Sequence, residues 1–308
     1  MPQLAHTYSI VAFDPAAGQF GVAVQSHYFG VGIAVPWLEA GVGAVATQSF
    51  VEISYGPLGL ALMKAGKTAS QALAALLVAD PRQDQRQVAM VDAHGNVAVH
   101  TGARCIAAAG HRTGEGYAVQ ANLMLRPTVW GAMAEAYEQT RGDLATRLLA
   151  ALEAAEAEGG DIRGRQSAAL VVVNAAALGQ PWQDRVFDLR VDDHAEPLVE
   201  LRRLLQVQRA YRAWNDAEAL LHDDHLDAAQ VAAAIARFDA APDLMPENPE
   251  GVFWFGCALV NAGAIEEALP YLRRVYAVQP MWRELAPRLA EVGLLPQDDA
   301  LLRRLIEI

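Results

Sequence analysis

The chain has 308 residues, long for one compact domain and comfortable for two. Its 53% hydrophobic and 19% charged residues describe a globular protein rather than a disordered one. The net charge of −12 argues against partners that present phosphate backbones or anionic membranes, and no run reaches the ~20 apolar residues that span a bilayer.

Residues 7 to about 53 are β-branched and punctuated by glycine, and the apolar runs at 7–13, 19–25, 31–36 and 42–48 predict four strands. Gly56-Pro57-Leu58 leads a helical pattern to Lys64, with Gly66 as its stop. Thr68-Ala69-Ser70-Gln71 reads as a capping box, which starts a second helix that ends before Asp80-Pro81. Strand character returns at Gln87–Asp92, turns through His94-Gly95-Asn96 and resumes at Val97–His100, a hairpin pattern. A further strand is expected over Gly116–Leu125, helices over about 127–140 and 143–158 closed by Gly159-Gly160, and strands over Gln166–Val173 and Val186–Val191.

Hairpins interrupted by paired helices suit an α+β fold of two stacked sheets covered by helices on both outer faces, a four-layer αββα sandwich. Beyond about residue 195 helical periodicity takes over. Pro246 and Pro280 lie 34 residues apart, and at the same offset Ala234 matches Ala268 while Phe238 is replaced by Leu272 and Ala241 by Val275. With Gly256, Gly263, Ala268 and Pro280 in register, this region resembles the tetratricopeptide repeat, and Met281–Pro296 departs from the period as a cap. The expected division is residues 1–194 and residues 195–308.

The blocks TYSIVAFD, GVAVQS, AVPWLEAGVGAVATQS, SYGPLGL, ADP, VDAHG, HTGARC and GGDIRGRQSAAL run in order from Thr7 to roughly residue 193. Together they resemble the bacterial domain-of-unknown-function family 1028, grouped with the N-terminal-nucleophile hydrolases. The resemblance implies the same αββα sandwich, with a cleft at the hairpin ends near Thr7. It also implies chemistry in which a hydroxyl at the start of the first strand attacks an amide and its own α-amine takes the proton. Thr7 stands where that nucleophile would stand, but six residues precede it, so cleavage between His6 and Thr7 is required.

The charged helpers of proteasome-like members are missing: Gln25 and Ser26 occupy the place of the second-strand carboxylate, and the lysines are Lys64 and Lys67 alone. Gln25, Ser26, His27, Gln48 and Ser49 end otherwise apolar strands and are expected to contact substrate. Asn122, an amide among apolar residues, is the candidate oxyanion donor and second catalytic residue. In the polar block 159–167, Arg163 or Arg165 is expected to pair with a substrate carboxylate, or internally with Asp161, and Gln166 to contact substrate.

Three patterns carry nothing further. Ala61–Thr68 fits a loose phosphate-loop pattern but reads as helix without a preceding strand. His222-Asp223-Asp224-His225 reads as a polar turn between helices, so no metal is expected, nor any other cofactor. Cys105 and Cys257 stand apart from any metal-spaced cluster and read as free thiols. The functional expectation is a hydrolase acting on an amide bond of a small molecule or peptide, with a protein partner on the repeats and homo-oligomeric assembly. The alternative is a catalytically inactive binding module that keeps the fold. Met1-Pro2-Gln3-Leu4-Ala5-His6 lacks the pattern of a secretion signal, so a cytoplasmic location is expected.

Overall fold

Two antiparallel sheets precede a helical region in the computed structural model, which describes residues 4–222 and 226–308. Asp223, Asp224 and His225 of the polar turn lie outside the described residues. By compactness the chain divides into Met1–Leu205 and Gln206–Ile308.

In the first unit, strands β1 (Leu4–Ala5), β2 (Thr7–Asp14), β3 (Gln19–Ser26), β4 (Pro36–Glu39) and β5 (Gly43–Phe50) come first. Helices α1 (Tyr55–Lys64) and α2 (Ala69–Ala79) follow, then β6 (Arg86–Asp92), β7 (Val97–Thr101), β8 (Gly110–Gly114) and β9 (Tyr117–Ala121). Helices α3 (Val129–Gln139) and α4 (Leu144–Ala157) lead to β10 (Ser167–Asn174), β11 (Arg185–Val191) and α5 (Pro197–Ala219). One sheet has the order β1-β5-β6-β7 with β4 also on β5; the other runs β11-β10-β3-β2-β9-β8.

Side-chain alternation sorts each strand between two faces. Val11, Val22, Val24, Ala118 and Val171 of the second sheet meet Ala44, Ala46, Ala89 and Val91 of the first in one apolar cluster. The other face of the second sheet packs Tyr8, Ile10, Ala23, Val119 and Leu170 on Met133, Leu148 and Leu152 of α3 and α4. On the first sheet, Val45, Val88 and Met90 pack on Leu60, Met63 and Leu73 of α1 and α2. Leu198, Leu201 and Leu205 of α5 join the cluster under α3 and α4.

Two segments differ from expectation. Residues 31–36 are not a strand: Gly30 turns left-handed (φ 63°), Val31–Ile33 coil as a short 3-10 helix, and pairing begins only at Pro36. Buried Val31, Ala34 and Val35 fill the space between the sheets, so their apolar run reflects burial rather than extension. The strand expected over 116–125 stops at Ala121, where Leu123 adopts a left-handed φ of 58°. Its partner β8 is a polar edge strand that apolar periodicity does not reveal.

Local signals hold elsewhere. The Thr68 hydroxyl accepts from Gln71 N–H while the Gln71 side chain accepts from Thr68 N–H. At the β6–β7 turn, buried Asp92 accepts from the N–H groups of Ala69, His94 and Asn96 and from Asn96 Nδ2. Burial pushes its carboxyl up, but these donors prevail and hold it below the ordinary carboxylate range.

The second unit contains the end of α5 with α6 (Ala228–Asp239), α7 (Glu250–Asn261), α8 (Ile265–Val278), α9 (Leu285–Glu291) and α10 (Asp299–Ile306). Its core stacks Phe238 on Phe255 at 4.1 Å, with Tyr271 edge-on to both. Gly256 lets α7 approach α8, because a Cβ there would stand 2.9 Å from Leu272. No helix among the described residues is long and apolar enough to cross a membrane.

Replacing Asp92 by Ala strips the start of α2 and the hairpin turn of one shared acceptor. The expected loss is about 2–3 kcal/mol of unfolding free energy, read from denaturant midpoints of the full chain.

Candidate functional site

Where the apolar filling between the sheets ends, polar side chains take over the same inward positions. Thr7 and Ser9 follow the face of Val11, Ser26 that of Val24, Gln48 that of Ala46, Gln87 that of Ala89, and Gln120 that of Ala118. Register aligns them: Thr7 pairs with Ser26, Ser26 with Ser167, Gln48 with Gln87, and Ser9 with Gln120. Every one of these side chains is fully buried.

At His6–Thr7 the chain passes from the first sheet to the second, since β1 pairs Leu4 with Phe50 and Ala5 with Ser49 while β2 pairs with β3. Two buried carbonyls therefore leave the ladder and need donors. The Thr7 carbonyl accepts from Gln48 Nε2 at 3.1 Å, Asn122 N–H at 3.1 Å and Asn122 Nδ2 at 3.4 Å. The His6 carbonyl accepts from Ser26 Oγ at 2.6 Å and Arg163 Nη2 at 2.8 Å.

These carbonyls fix the orientation of every amide around them, because a carbonyl oxygen only accepts. With Nε2 on Thr7 and on Gln87 Oε1, Gln48 turns Oε1 toward the Ser9 hydroxyl. With Nδ2 toward Thr7 and Gln87, Asn122 presents Oδ1 to His6 Nδ1 at 2.8 Å, so the imidazole carries a proton on Nδ1. Gln87 Nε2 donates to Thr101 Oγ1 and to the carbonyls of Gly110 and Ala121. The Thr7 hydroxyl lies 3.1 Å from Ser26 Oγ; Ser26 spends its one proton on His6, so Thr7 donates.

Charge enters through Asp161 and Arg163. The Asp161 carboxylate holds Arg163 at Nε (3.0 Å) and Nη2 (2.6 Å), and the Arg163 N–H besides. The bidentate pair aims one guanidinium nitrogen at the His6 carbonyl. Two non-glycine residues with left-handed φ, Ser49 (72°) and Leu123 (58°), directly follow Gln48 and Asn122. Such conformations cost about 1–3 kcal/mol each, and both adjoin the amides that grip Thr7.

Of the residues singled out from sequence, Thr7, Ser26, Gln48, Asn122 and Arg163 converge on the His6–Thr7 unit. Gln25 does not: alternation turns it to the Ala23 face beneath α4, where its buried amide has no hydrogen-bond partner. Ser49 is buried at the end of β5. His27 is exposed with its ring on the Arg165 carbonyl, although its N–H reaches Asp161 at 3.4 Å. Gln166 pairs with Asp193 at the surface. His6, Ser9, Gln87 and Gln120 belong to the cluster and escape motif reading, while Asp161 enters it as the internal partner of Arg163; Gln87 and Gln120 are polar at inward positions of alternating strands, which is their signal.

Grooves on this unit open elsewhere, one lined by Trp37, Val171, Arg185 and Arg190 and another by Tyr55, Asp80 and Arg86. Burial pushes the Cys257 thiol up to about 12 and raises that of Cys105, so neither is poised as a thiolate. No group of three or more His, Cys, Asp or Glu able to hold a metal occurs among the described residues.

Burial holds the His6 imidazole below its ordinary value of 6.5; the Asn122 bond opposes this, Arg163 reinforces it and Asp161 opposes it. Between the two values the unfolded chain binds more protons than the folded one. Stability is therefore full above about pH 6.5 and falls as the pH drops toward the folded value. The loss on acidification is expected to be steeper for the parent than for His6→Gln, measured by urea unfolding at successive pH values.

The model of a family of unknown function, DUF1028, matches residues 7–201. The crystal structure of protein SPO2555 from Silicibacter pomeroyi, described as DUF1028, is similar at 30% sequence identity and a TM-score of 0.59. The likeness covers 66% of this chain and 89% of that one. No curated protein matches the chain.

Proposed function

The chain belongs to the DUF1028 family, and from that premise we propose that its first unit is an N-terminal-nucleophile-type αββα sandwich that hydrolyses an amide of a small molecule or peptide. Thr7 is its nucleophile once the preceding residues are released. The observation that carries this reading is the pair of donors on the His6 carbonyl, Ser26 Oγ and Arg163 Nη2, beside a Thr7 hydroxyl that itself donates to Ser26. A peptide bond so held has its carbonyl polarised, and the Thr7 hydroxyl shares with that carbonyl the same Ser26 hydroxyl.

Attack by Thr7 Oγ1 on an amide carbonyl gives an acyl-enzyme, and the liberated Thr7 α-amine takes the hydroxyl proton and returns it to the leaving amine. Water then hydrolyses the ester. Gln48 and Asn122 hold the Thr7 carbonyl through this cycle, which fixes the nucleophile's backbone. No cofactor enters the scheme.

A second reading has its own observation. Thr7 is wholly buried and Leu4–Ala5 pair with β5, as in a module that keeps the fold and leaves the site closed. In both readings the second unit is a tetratricopeptide-like docking surface for a protein partner, supported by the 34-residue offset and by the Gly256 approach. A homo-oligomer in the cytoplasm completes the proposal.

Intact-mass measurement separates the two. Self-release is expected to remove the residues through His6, expose an amino-terminal threonine and vanish in Thr7→Ala. A full-length mass that persists on incubation, with no difference between parent and Thr7→Ala, supports the closed module instead.

A further inference from the structure

We infer that Ser26 and Arg163 are the oxyanion pocket of the Thr7 reaction centre and that the His6 side chain marks its acyl-side subsite. That subsite fits an amide whose acyl half bears a flat ring with a hydrogen-bond donor. The inference rests on reading Thr7 as the nucleophile and adds to it the charge-stabilising groups and the substrate class.

A neutral peptide carbonyl needs no charged donor, and Ser26 at 2.6 Å already supplies it a neutral one. The guanidinium of Arg163 at 2.8 Å, backed by a carboxylate whose side chain is fully buried, exceeds what that carbonyl needs. It matches an oxygen that gains negative charge, the arrangement that favours a transition state over its ground state. Asp161 is a positioning residue: its two oxygens hold Arg163 at Nε and Nη2 and so set the direction of the bond to the carbonyl.

The proton route follows the hydrogen bonds. As Thr7 Oγ1 bonds to the His6 carbonyl carbon, its proton passes to Ser26 Oγ and the Ser26 proton passes to the carbonyl oxygen. The tetrahedral adduct is then neutral overall, and Arg163 stabilises the partial charge that precedes full proton transfer. On collapse the carbon–nitrogen bond breaks, the adduct's hydroxyl proton reaches the Thr7 nitrogen, and an ester to Thr7 remains. Water cleaves that ester to the His6 carboxylic acid and the free hydroxyl.

The acyl half of this first substrate is the chain's own His6. Its ring donates from Nδ1 to Asn122 Oδ1 at 2.8 Å and stands edge-on to Phe50, centroids 5.6 Å apart at 89°. Release of the leader vacates the two donors and the slot between Asn122 and Phe50 together. An external amide placed with its carbonyl on Ser26 and Arg163 therefore sends its acyl substituent into a slot with one acceptor and one aromatic edge.

The test follows leader release by time-resolved intact mass on the full chain. Ser26→Ala and Arg163→Ala are each expected to slow it about 10²–10³-fold, the usual effect of losing one oxyanion donor. Ser26→Thr, which keeps the hydroxyl, retains release, and millimolar guanidinium restores part of the rate of Arg163→Ala while leaving its unfolding midpoint unchanged. With the released protein, a fluorogenic N-acetyl-histidine amide is expected to exceed its N-acetyl-alanine counterpart at least about tenfold in kcat/KM, the least that the loss of even one methylene contact costs.

Release at the parental rate in both alanine variants overturns the oxyanion pocket and leaves Thr7 as nucleophile. Slow release without guanidinium rescue in a folded Arg163→Ala overturns the role of Arg163. Equal rates for the two amides overturn the acyl subsite. A parent chain that keeps its full mass overturns the nucleophile reading and this inference with it.

Discussion

A backbone that leaves one sheet and enters another inside a packed interior must find donors for its carbonyls without the help of strand pairing. At His6–Thr7 that demand is met by Gln48, Asn122, Ser26 and Arg163, five contacts on two oxygens. An unmet buried carbonyl costs about 1–3 kcal/mol, so apolar replacements at these positions leave holes in hydrogen bonding as well as in packing. Each donor then brings a second polar atom that also needs a partner. Gln48 recruits Ser9 and Gln87, and Gln87 recruits Thr101 and two further carbonyls. One crossing of the chain thus accounts for a polar cluster between two otherwise apolar faces.

Much of this was legible in the sequence, because period-two alternation and turn residues are local. The strands around Thr7, the capped start of α2 and the β6–β7 hairpin all carry such signals. Alternation also contains information that motif reading passes over: once Thr7 pairs with Ser26, Gln25 has to face the helices instead of Thr7. Gln87 and Gln120 sit in inward positions of apolar strands and are visible by the same logic. What alternation does not contain is the meeting of residues distant in sequence. His6 gains its place only because Arg163, Asn122 and Phe50 come to it from three other elements. The run 31–36 shows the converse, since apolar residues inside a core need not be extended.

The left-handed conformations of Ser49 and Leu123 bear on the same cluster. Each follows directly on an amide that binds the Thr7 carbonyl: Ser49 within β5, still paired with Ala5 and Arg86, and Leu123 two residues past the end of β9. Ending β9 at Ala121 frees the peptide units beyond it from the ladder, so Leu123 N–H pairs with the Ile106 carbonyl and Met124 N–H with that of Ala108 instead. The amides keep their register with Thr7 while the chain beyond them turns toward other partners. On the β9 side, backbone strain, strand termination and carbonyl capture are three aspects of one local geometry.

Arginine rather than lysine at the His6 carbonyl limits the chemistry available there. A guanidinium has five donors and no acceptor, so Arg163 supplies charge and direction but is no proton relay. Its planar fork also lets one carboxylate hold two nitrogens while the outer edge of the group reaches the carbonyl, which a lysine ammonium on a flexible stem does not reproduce. In the proposed reaction, proton movement is then left to groups that can both give and accept, and the hydroxyls of Thr7 and Ser26 stand in hydrogen-bond contact. Two tasks of that proposed reaction are thereby divided between two residue types: a fixed cation for the charge and a pair of hydroxyls for the proton.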